Sequence, residues 1–312
     1  MLTILMTTYN GEAYVEQQLD SIMNQTFQDF HLVVRDDCST DGTFQLLEQY
    51  AISYPQKMTV LSSEKNSGSA KYNFLYLMLR YTDNYVMLSD QDDVWNPDKI
   101  EVTLGAMREA EAQYGSSCPL LVHTDLQVVD RDLRILTNSY KKAGFYNVEN
   151  HSLEALTVMP NTTGCTTLYN RSLAKKLRMP NYCQMHDYWL SLSAAAMGKV
   201  IYLPIATLQY RQHGNNQIGA KLGTHLARDL KGVFQSNKRR TYLFETCRQA
   251  ESMLRAYPDL LSDAQKRFLE DYAALPSYSK WKRWKEFNRL KVIKSKWWRK
   301  AAQLLYMVIK VI

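Results

Sequence analysis

The sequence predicts an α/β protein, a doubly wound sheet followed by a helical extension, and three observations predict it. Short apolar runs alternate with longer stretches of helical periodicity through the first 115 residues, the pattern of strands joined by crossover helices. Polar residues cluster directly after those runs, where open parallel sheets bind ligands. Charge is uneven: residues 1–230 hold 19 Lys+Arg against 24 Asp+Glu and residues 231–312 hold 19 against 7, so the net charge of +7 belongs to the tail.

The runs Leu2–Met6, Phe30–Val34, Met58–Leu61 and Tyr85–Leu88 read as strands of a parallel sheet, since strands covered on both faces are continuously hydrophobic. Helices lie between them. Tyr14, Val15, Leu19, Ile22 and Met23 give helical spacing over 12–23, and Phe44, Leu46, Leu47 and Tyr50 repeat it after the Asp41-Gly42 turn. A third helix spans 70–80, and a fourth runs from Pro97 to about residue 113, proline suiting a first helical turn. Beyond residue 115 the pattern is mixed: strands at Leu120–His123 and Leu126–Val129, a polar turn at Asn161–Gly164, a helix over 186–197, and strands near 200 and 208. From about residue 224 helices are separated by Pro258 and Pro276. The expected organisation is a sheet domain over 1–223, in halves 1–115 and 116–223, and a helical extension over 224–312.

Composition excludes several classes. With 46% hydrophobic and 22% charged residues, 12 Gly and 8 Pro, the chain is neither disordered nor collagenous. Its 5 cysteines are widely spaced with no CxxC pair, so neither a disulfide framework nor a cysteine zinc site is indicated and a reducing compartment fits. Residues 1–6 are mostly apolar but follow no basic segment, and polar residues arrive by Thr7, so no secretory signal is expected. The apolar stretch Ala301–Ile309 is well short of the ~20 residues needed to span a bilayer. The expectation is a cytoplasmic protein, or one lying on a membrane.

Chemistry is sought in the polar clusters: Thr7–Glu12, Asp36–Gly42 and Ser89–Asp93. Carboxylates gathered at one sheet edge repel each other unless a cation or a donor-rich ligand offsets them, and Mg²⁺ takes one or two carboxylates together with substrate phosphates. Asp90 to Asp92 is thus a candidate diphosphate–metal site, against the plainer reading of a loop capping the helix near Pro97. The segment from Asp37 to Gly42 is equally a natural turn and N-cap sequence.

The segments Ile4–Gly11, Val34–Gly42 and Leu88–Trp95, in this order and spacing and followed by His186-Asp187-Tyr188-Trp189, resemble the family 2 glycosyltransferases of GT-A (nucleotide-diphospho-sugar transferase) fold over about residues 1–220. With Tyr210–Asn215, the His186-Asp187 pair looks most like rhamnosyltransferases that use dTDP-L-rhamnose. Within the family the halves 1–115 and 116–223 correspond to donor and acceptor sides.

The resemblance implies roles residue by residue. Thr7 and Tyr9 match positions contacting base and ribose, and Asp37 matches the carboxylate that accepts from a pyrimidine N3–H. An aromatic face and a carboxylate suit dTDP or UDP better than a purine nucleotide. Lys71 falls where the family often has a basic residue near the nucleotide. Asp90 is placed on the ribose or diphosphate side, and Asp92 and Asp93 are alternative ligands for Mg²⁺ or Mn²⁺, with His213 near the diphosphate or on the metal. Asp187 is the base that deprotonates the acceptor hydroxyl in an inverting transfer, its plainer reading being an N-cap. Thr163, Gly164 and His186 fall on the acceptor side.

Between Lys280 and Lys300 the sequence interleaves basic residues with Trp281, Trp284, Trp297 and Trp298. Apolar positions 281, 284, 287, 290, 293 and 297 follow helical spacing, giving a cationic amphipathic helix suited to an anionic membrane surface or to packing on another copy of the chain. A nucleic-acid binder leaves the acidic clusters unexplained, and a sugar nucleotidyltransferase lacks its Gly-rich basic loop. The expected partners are a nucleotide-sugar donor and a lipid-linked cell-wall or capsular glycan at the inner face of the cell membrane, with no nucleic acid. Another UDP- or dTDP-sugar is the alternative donor.

Overall fold

Apolar runs become strands where expected in the first half of the chain. The computed structural model describes residues 1–144, 148–213 and 236–290, with side chains from residue 244 onward in the last segment. In chain order the sheet elements are β1 (Leu2–Thr8), α1 (Val15–Met23), β2 (Phe30–Asp36), α2 (Thr43–Ser53), β3 (Met58–Ser62), α3 (Ala70–Met78) and β4 (Tyr85–Ser89). They continue through β5 (Val94–Trp95), α4 (Lys99–Tyr114), β6 (Leu120–Val129), β7 (Ile135–Thr137), β8 (Thr167–Asn170) and β9 (Lys199–Arg211). The described residues group into two units, 1–144 with 162–177 and 198–213, and 148–161 with 178–197 and 236–290. Segment 178–197, read from sequence as part of the sheet domain, thus groups with the C-terminal helices.

The first unit is built on a sheet of order β3-β2-β1-β4-β8-β6-β9-β5, with β7 paired to β6. β1 runs parallel to both β2 and β4, and β2 to β3, so the carboxyl ends of β1, β2 and β4 share one edge. β8 is antiparallel to β4 and β6, and β9 is parallel to β6 but antiparallel to β5. One face buries Ile4, Met6, Leu32, Val34 and Met87 against Val15, Leu19 and Ile22 of α1 and Ile100, Leu104 and Met107 of α4. Leu5, Val33 and Leu88 alternate to the other face and are equally buried, each such side chain contributing about 1.5–3 kcal/mol.

Two expectations are corrected. β6 is one strand rather than two, and so is β9, because the polar residues that interrupt their hydrophobic pattern are paired inside the sheet. Thr124 and Thr207 share a hydroxyl hydrogen bond of 2.7 Å, and buried Asp125 accepts from Ser139 Oγ at 2.5 Å. The β6–β9 register shifts at Thr124/Asp125, a bulge and not a turn. α1 starts later than the periodicity suggests because Asn10, at φ 47°, turns the chain so that Gly11 O accepts from Tyr14 and Val15 N–H. Gly198 leads into β9 so close to β6 that a Cβ there would overlap the Pro119 carbonyl oxygen.

The second unit is helical: Leu153–Val158, His186–Met197, Ser236–Ala256, Asp263–Ala273 and Lys280–Arg289. Tyr257 sits at its centre, stacked on Trp189 and bonded through its hydroxyl to Ser193 at 2.9 Å. Ser262 and Gln265 close a capping box at the start of Asp263–Ala273. In Lys280–Arg289 the inward residues are Phe287 and Arg283, whose guanidinium donates to the Leu275, Pro276 and Tyr278 carbonyls. Trp281 and Trp284 remain 76% and 42% exposed, so the tryptophans of the expected stripe are not its buried face. Positions 291–312, with Trp297 and Trp298, lie outside the described residues. No helix among the described residues is long and apolar enough to cross a membrane.

Candidate active site

Three loops at the shared carboxyl edge are hydrogen-bonded to one another. After β1, Tyr9 N–H donates to Gln91 Oε1 at 2.8 Å and Gln91 Nε2 donates back to Tyr9 O at 3.1 Å. Asn10 N–H donates to Ser39 Oγ at 2.9 Å, and Asn10 Oδ1 accepts from Thr40 N–H at 2.8 Å. Gly11 leaves room for Gln91, whose side chain a Cβ would strike. Thr7 is buried beneath this loop, whereas Tyr9 is 49% exposed.

After β2 the two adjacent aspartates are both buried and differently engaged. Asp36 accepts from Thr8 Oγ1 at 2.7 Å, Ser39 Oγ at 2.6 Å and Ser39 N–H at 2.8 Å, which makes it the brace between β1 and the turn. Asp37 accepts from Ser67 N–H at 2.9 Å and Ser67 Oγ at 2.7 Å, with the Arg35 guanidinium 4.0 Å away. It organises the segment leading to α3, where Ser69 caps the helix through Lys71 N–H and the Lys71 ammonium lies 4.6 Å from the Tyr72 ring.

After β4 the acidic residues diverge. Asp92 is half-buried, and its Oδ2 lies 2.7 Å from His213 Nε2. Asp93 is fully buried and accepts from Arg211 N–H at 3.3 Å. Half-buried Asp90, Asp93 and buried Cys165 present ligand atoms within 4.8 Å of one another. Burial, then the Asp92 and Asp90 charges, pushes the Asp93 carboxyl well above the usual range, and burial does the same to the Cys165 thiol. Lys99, wholly buried alongside, is lowered by burial to about 8, partly opposed by Cys165 and Asp93. His213 stacks on Tyr14 at 4.7 Å between ring centroids, and the Arg211 guanidinium lies 4.8 Å from that same ring.

The remaining candidates divide between the units. Thr163 and Gly164 belong to the first, where Thr163 Oγ1 accepts from Lys141 Nζ at 3.3 Å and Gly164 O accepts from Thr167 Oγ1 at 2.7 Å. His186 and Asp187 open a helix of the second. Asp187 Oδ1 accepts from Tyr188 N–H at 2.7 Å, and Tyr188 OH fixes that turn by donating to Thr157 O at 2.7 Å. His186, expected to face an acceptor, is enclosed at 3% exposure, and burial lowers it to about 4. Sequence reasoning gave no role of their own to Tyr14, Gln91 or Arg211, although Gln91 and Arg211 lie within motifs it singled out. The one available signal was Arg211, the charge that follows the uncharged run Val200–Tyr210 two residues before His213.

Residues 3–178 match the family described as glycosyl transferase family 2. The chain is 30% identical over 231 residues to the dTDP-rhamnosyl transferase RfbG of Shigella flexneri, covering 70% of this chain and 74% of that one. Among solved structures, residues 1–349 of Staphylococcus aureus TarS in complex with UDP align with a TM-score of 0.58 at 20% identity, covering 89% of this chain and 72% of that one. The mannosyltransferase PcManGT from Pyrobaculum calidifontis, in complex with GDP-Man and Mn²⁺, aligns at 0.54 and 18% identity over 97% and 86%. At these identities the structural likeness speaks for the fold, and it agrees with a parallel edge carrying three polar loops. The family match across more than half of the chain settles the class: the protein belongs to the family 2 glycosyltransferases, enzymes of GT-A fold acting on nucleotide sugars.

Proposed function

We propose that this glycosyltransferase moves L-rhamnose from dTDP-L-rhamnose to a hydroxyl of a lipid-linked cell-wall or capsular polysaccharide intermediate, with inversion at the anomeric carbon. One observation carries the reading: the exposed Tyr9 ring, the Asp37 carboxylate and Asp92 stand on three loops joined by hydrogen bonds at one edge, and His213, just beyond β9, meets Asp92 there. Tyr9 covers the face of the pyrimidine, Asp37 accepts its imide N–H, and Lys71 and Asp90 serve the rest of the nucleotide. The relative described as a dTDP-rhamnosyl transferase supports the choice of donor.

A carboxylate oxygen and an imidazole nitrogen 2.7 Å apart and half-buried are a donor pair suited to Mn²⁺, whereas Mg²⁺, which takes oxygen ligands, would use the carboxylate. Asp92 and His213 fit the ion better than Asp93, which is fully buried, accepts a backbone N–H and is pushed toward its neutral form. When bound, the ion supplies positive charge to the departing diphosphate. Asp187 takes the proton of the acceptor hydroxyl as that oxygen bonds to the anomeric carbon, and the opposite C–O bond breaks with its electron pair leaving on dTDP. Thr163 and Gly164 serve the acceptor, while His186 supports the helix that bears Asp187.

The test is transfer from a panel of labelled nucleotide sugars to a lipid-linked acceptor. Rhamnose should be taken from dTDP-L-rhamnose with inverted configuration, and Asp187→Asn should bind donor normally while losing about 10²- to 10⁴-fold in turnover. Preference for another sugar overturns the donor, and lost donor binding in Asp187→Asn removes it from the base role. Trp281 and Trp284, exposed beside Lys280, Lys282 and Lys285, favour attachment to an anionic membrane, each lysine near such a surface adding about 1 kcal/mol. Flotation with acidic vesicles that persists in a Trp281→Ala, Trp284→Ala variant contradicts their part in it.

A further inference from the structure

We infer that Tyr14 and Arg211 are positioning residues that hold His213 and Asp92 in register for the metal, an inference resting on the metal reading above. An imidazole on a loop is a good ligand only if its ring is fixed, since every rotation it retains must be lost on binding. Here the ring lies on Tyr14, with centroids 4.7 Å apart and planes inclined by 28°. Tyr14 is itself placed by the turn after β1, where its N–H donates to Gly11 O at 2.9 Å.

Arg211 connects the parts. It is only 2% exposed, and its guanidinium donates through Nε to Asp92 O at 2.9 Å, through one terminal nitrogen to Arg131 O and through the other to Gln17 Oε1, each at 2.6 Å. The same group packs on Tyr14 at 4.8 Å. One side chain thereby fixes the main chain of Asp92 and the ring under His213. Enclosing a guanidinium is costly, and apolar side chains would fill this space at less cost. The planar fork does what they cannot, bonding three separate segments in fixed directions.

The test uses the full chain with dTDP and reads Mn²⁺ uptake from the paramagnetic resonance of the free ion. Tyr14→Leu and Arg211→Lys should weaken Mn²⁺ binding roughly 10- to 100-fold, the usual cost of losing a residue that orients a ligand. Tyr14→Phe, which keeps the ring, should bind as wild type. Affinity for dTDP without metal should be unchanged in all three, and turnover of Tyr14→Leu should recover as Mn²⁺ is raised. Wild-type Mn²⁺ affinity in folded Tyr14→Leu and Arg211→Lys overturns the inference. Should Arg211→Lys fail to fold, Tyr14→Leu at its half-buried site decides alone. A wild-type protein that takes up no Mn²⁺ overturns the metal reading and this inference with it, an outcome distinct from wild-type uptake that the variants share.

Discussion

The loops after β2 and β4 both crowd carboxylates onto one sheet edge and treat them in opposite ways. After β2, hydroxyl and amide donors meet the charge: Asp36 has three within 2.8 Å, and Asp37 is met by Ser67 and Arg35. Burial pushes the nearby Asp41 carboxyl up, but hydrogen bonds from the Thr43 hydroxyl, Thr43 N–H and Glu12 N–H outweigh it and hold Asp41 below its ordinary value. After β4, Asp90, Asp92 and Asp93 face one another, and Asp93 is driven toward its neutral form. The same residue type thus builds a closely hydrogen-bonded loop where donors are supplied. Where they are fewer, it creates a demand for positive charge that Lys99 and Arg211 meet only in part.

Substitutions sharpen this contrast. Asp92→Asn should have the largest effect, lowering turnover by roughly 10²-fold or more, because metal stabilisation of the leaving charge is worth several kcal/mol. Full turnover of that variant in a chelator would remove the metal from the β4 loop. Asp37→Ala should weaken free dTDP and dTDP-sugar equally, by about 10- to 100-fold, as expected for losing a hydrogen bond to a charged group; a loss confined to the sugar-bearing donor contradicts base recognition.

The smallest effect concerns stability. Because Asp93 is raised above 3.8 in the folded protein, the native state binds more protons than the unfolded chain above that pH, so its contribution becomes less favourable as pH rises. Asp93→Asn keeps an acceptor for Arg211 N–H and removes that term. Its melting temperature in chelator should exceed wild type increasingly from pH 4 toward neutrality. Asp41→Asn should behave oppositely, trailing wild type by a near-constant gap above about pH 5 that closes as pH falls below 4, because a carboxyl held below 3.8 stabilises the fold only while ionised. Melting curves parallel to wild type for Asp93→Asn above pH 4 and for Asp41→Asn below it would erase the contrast between the loops.

Much of this was legible in the sequence because it is local. β1 to β4 are continuous apolar runs, and the polar motifs directly follow three of them. β6 and β9 were misread because Thr124 and Asp125 find their partners 83 and 14 residues away, and no local pattern reveals a satisfied buried polar group. The proposed preference for Asp92 over Asp93 as metal ligand rests on burial, which adjacent identical residues do not display in a sequence. Tyr14 read as an ordinary apolar position of a helix, and its stacking on His213 depends on β9 ending beside α1. Arg283 read as part of a cationic face, yet three carbonyls of the preceding turn enclose it.

The central claim is that the β2 loop recognises the base and the β4 loop binds the cation. Calorimetric titration of dTDP into wild type, Asp37→Ala and Asp92→Asn, with and without Mn²⁺, tests it most directly. The account predicts that Mn²⁺ tightens dTDP binding to wild type, that Asp92→Asn keeps the metal-free affinity but loses the tightening, and that Asp37→Ala binds weakly throughout while still being tightened. Equal tightening in wild type and Asp92→Asn, or wild-type metal-free affinity in Asp37→Ala, would contradict it.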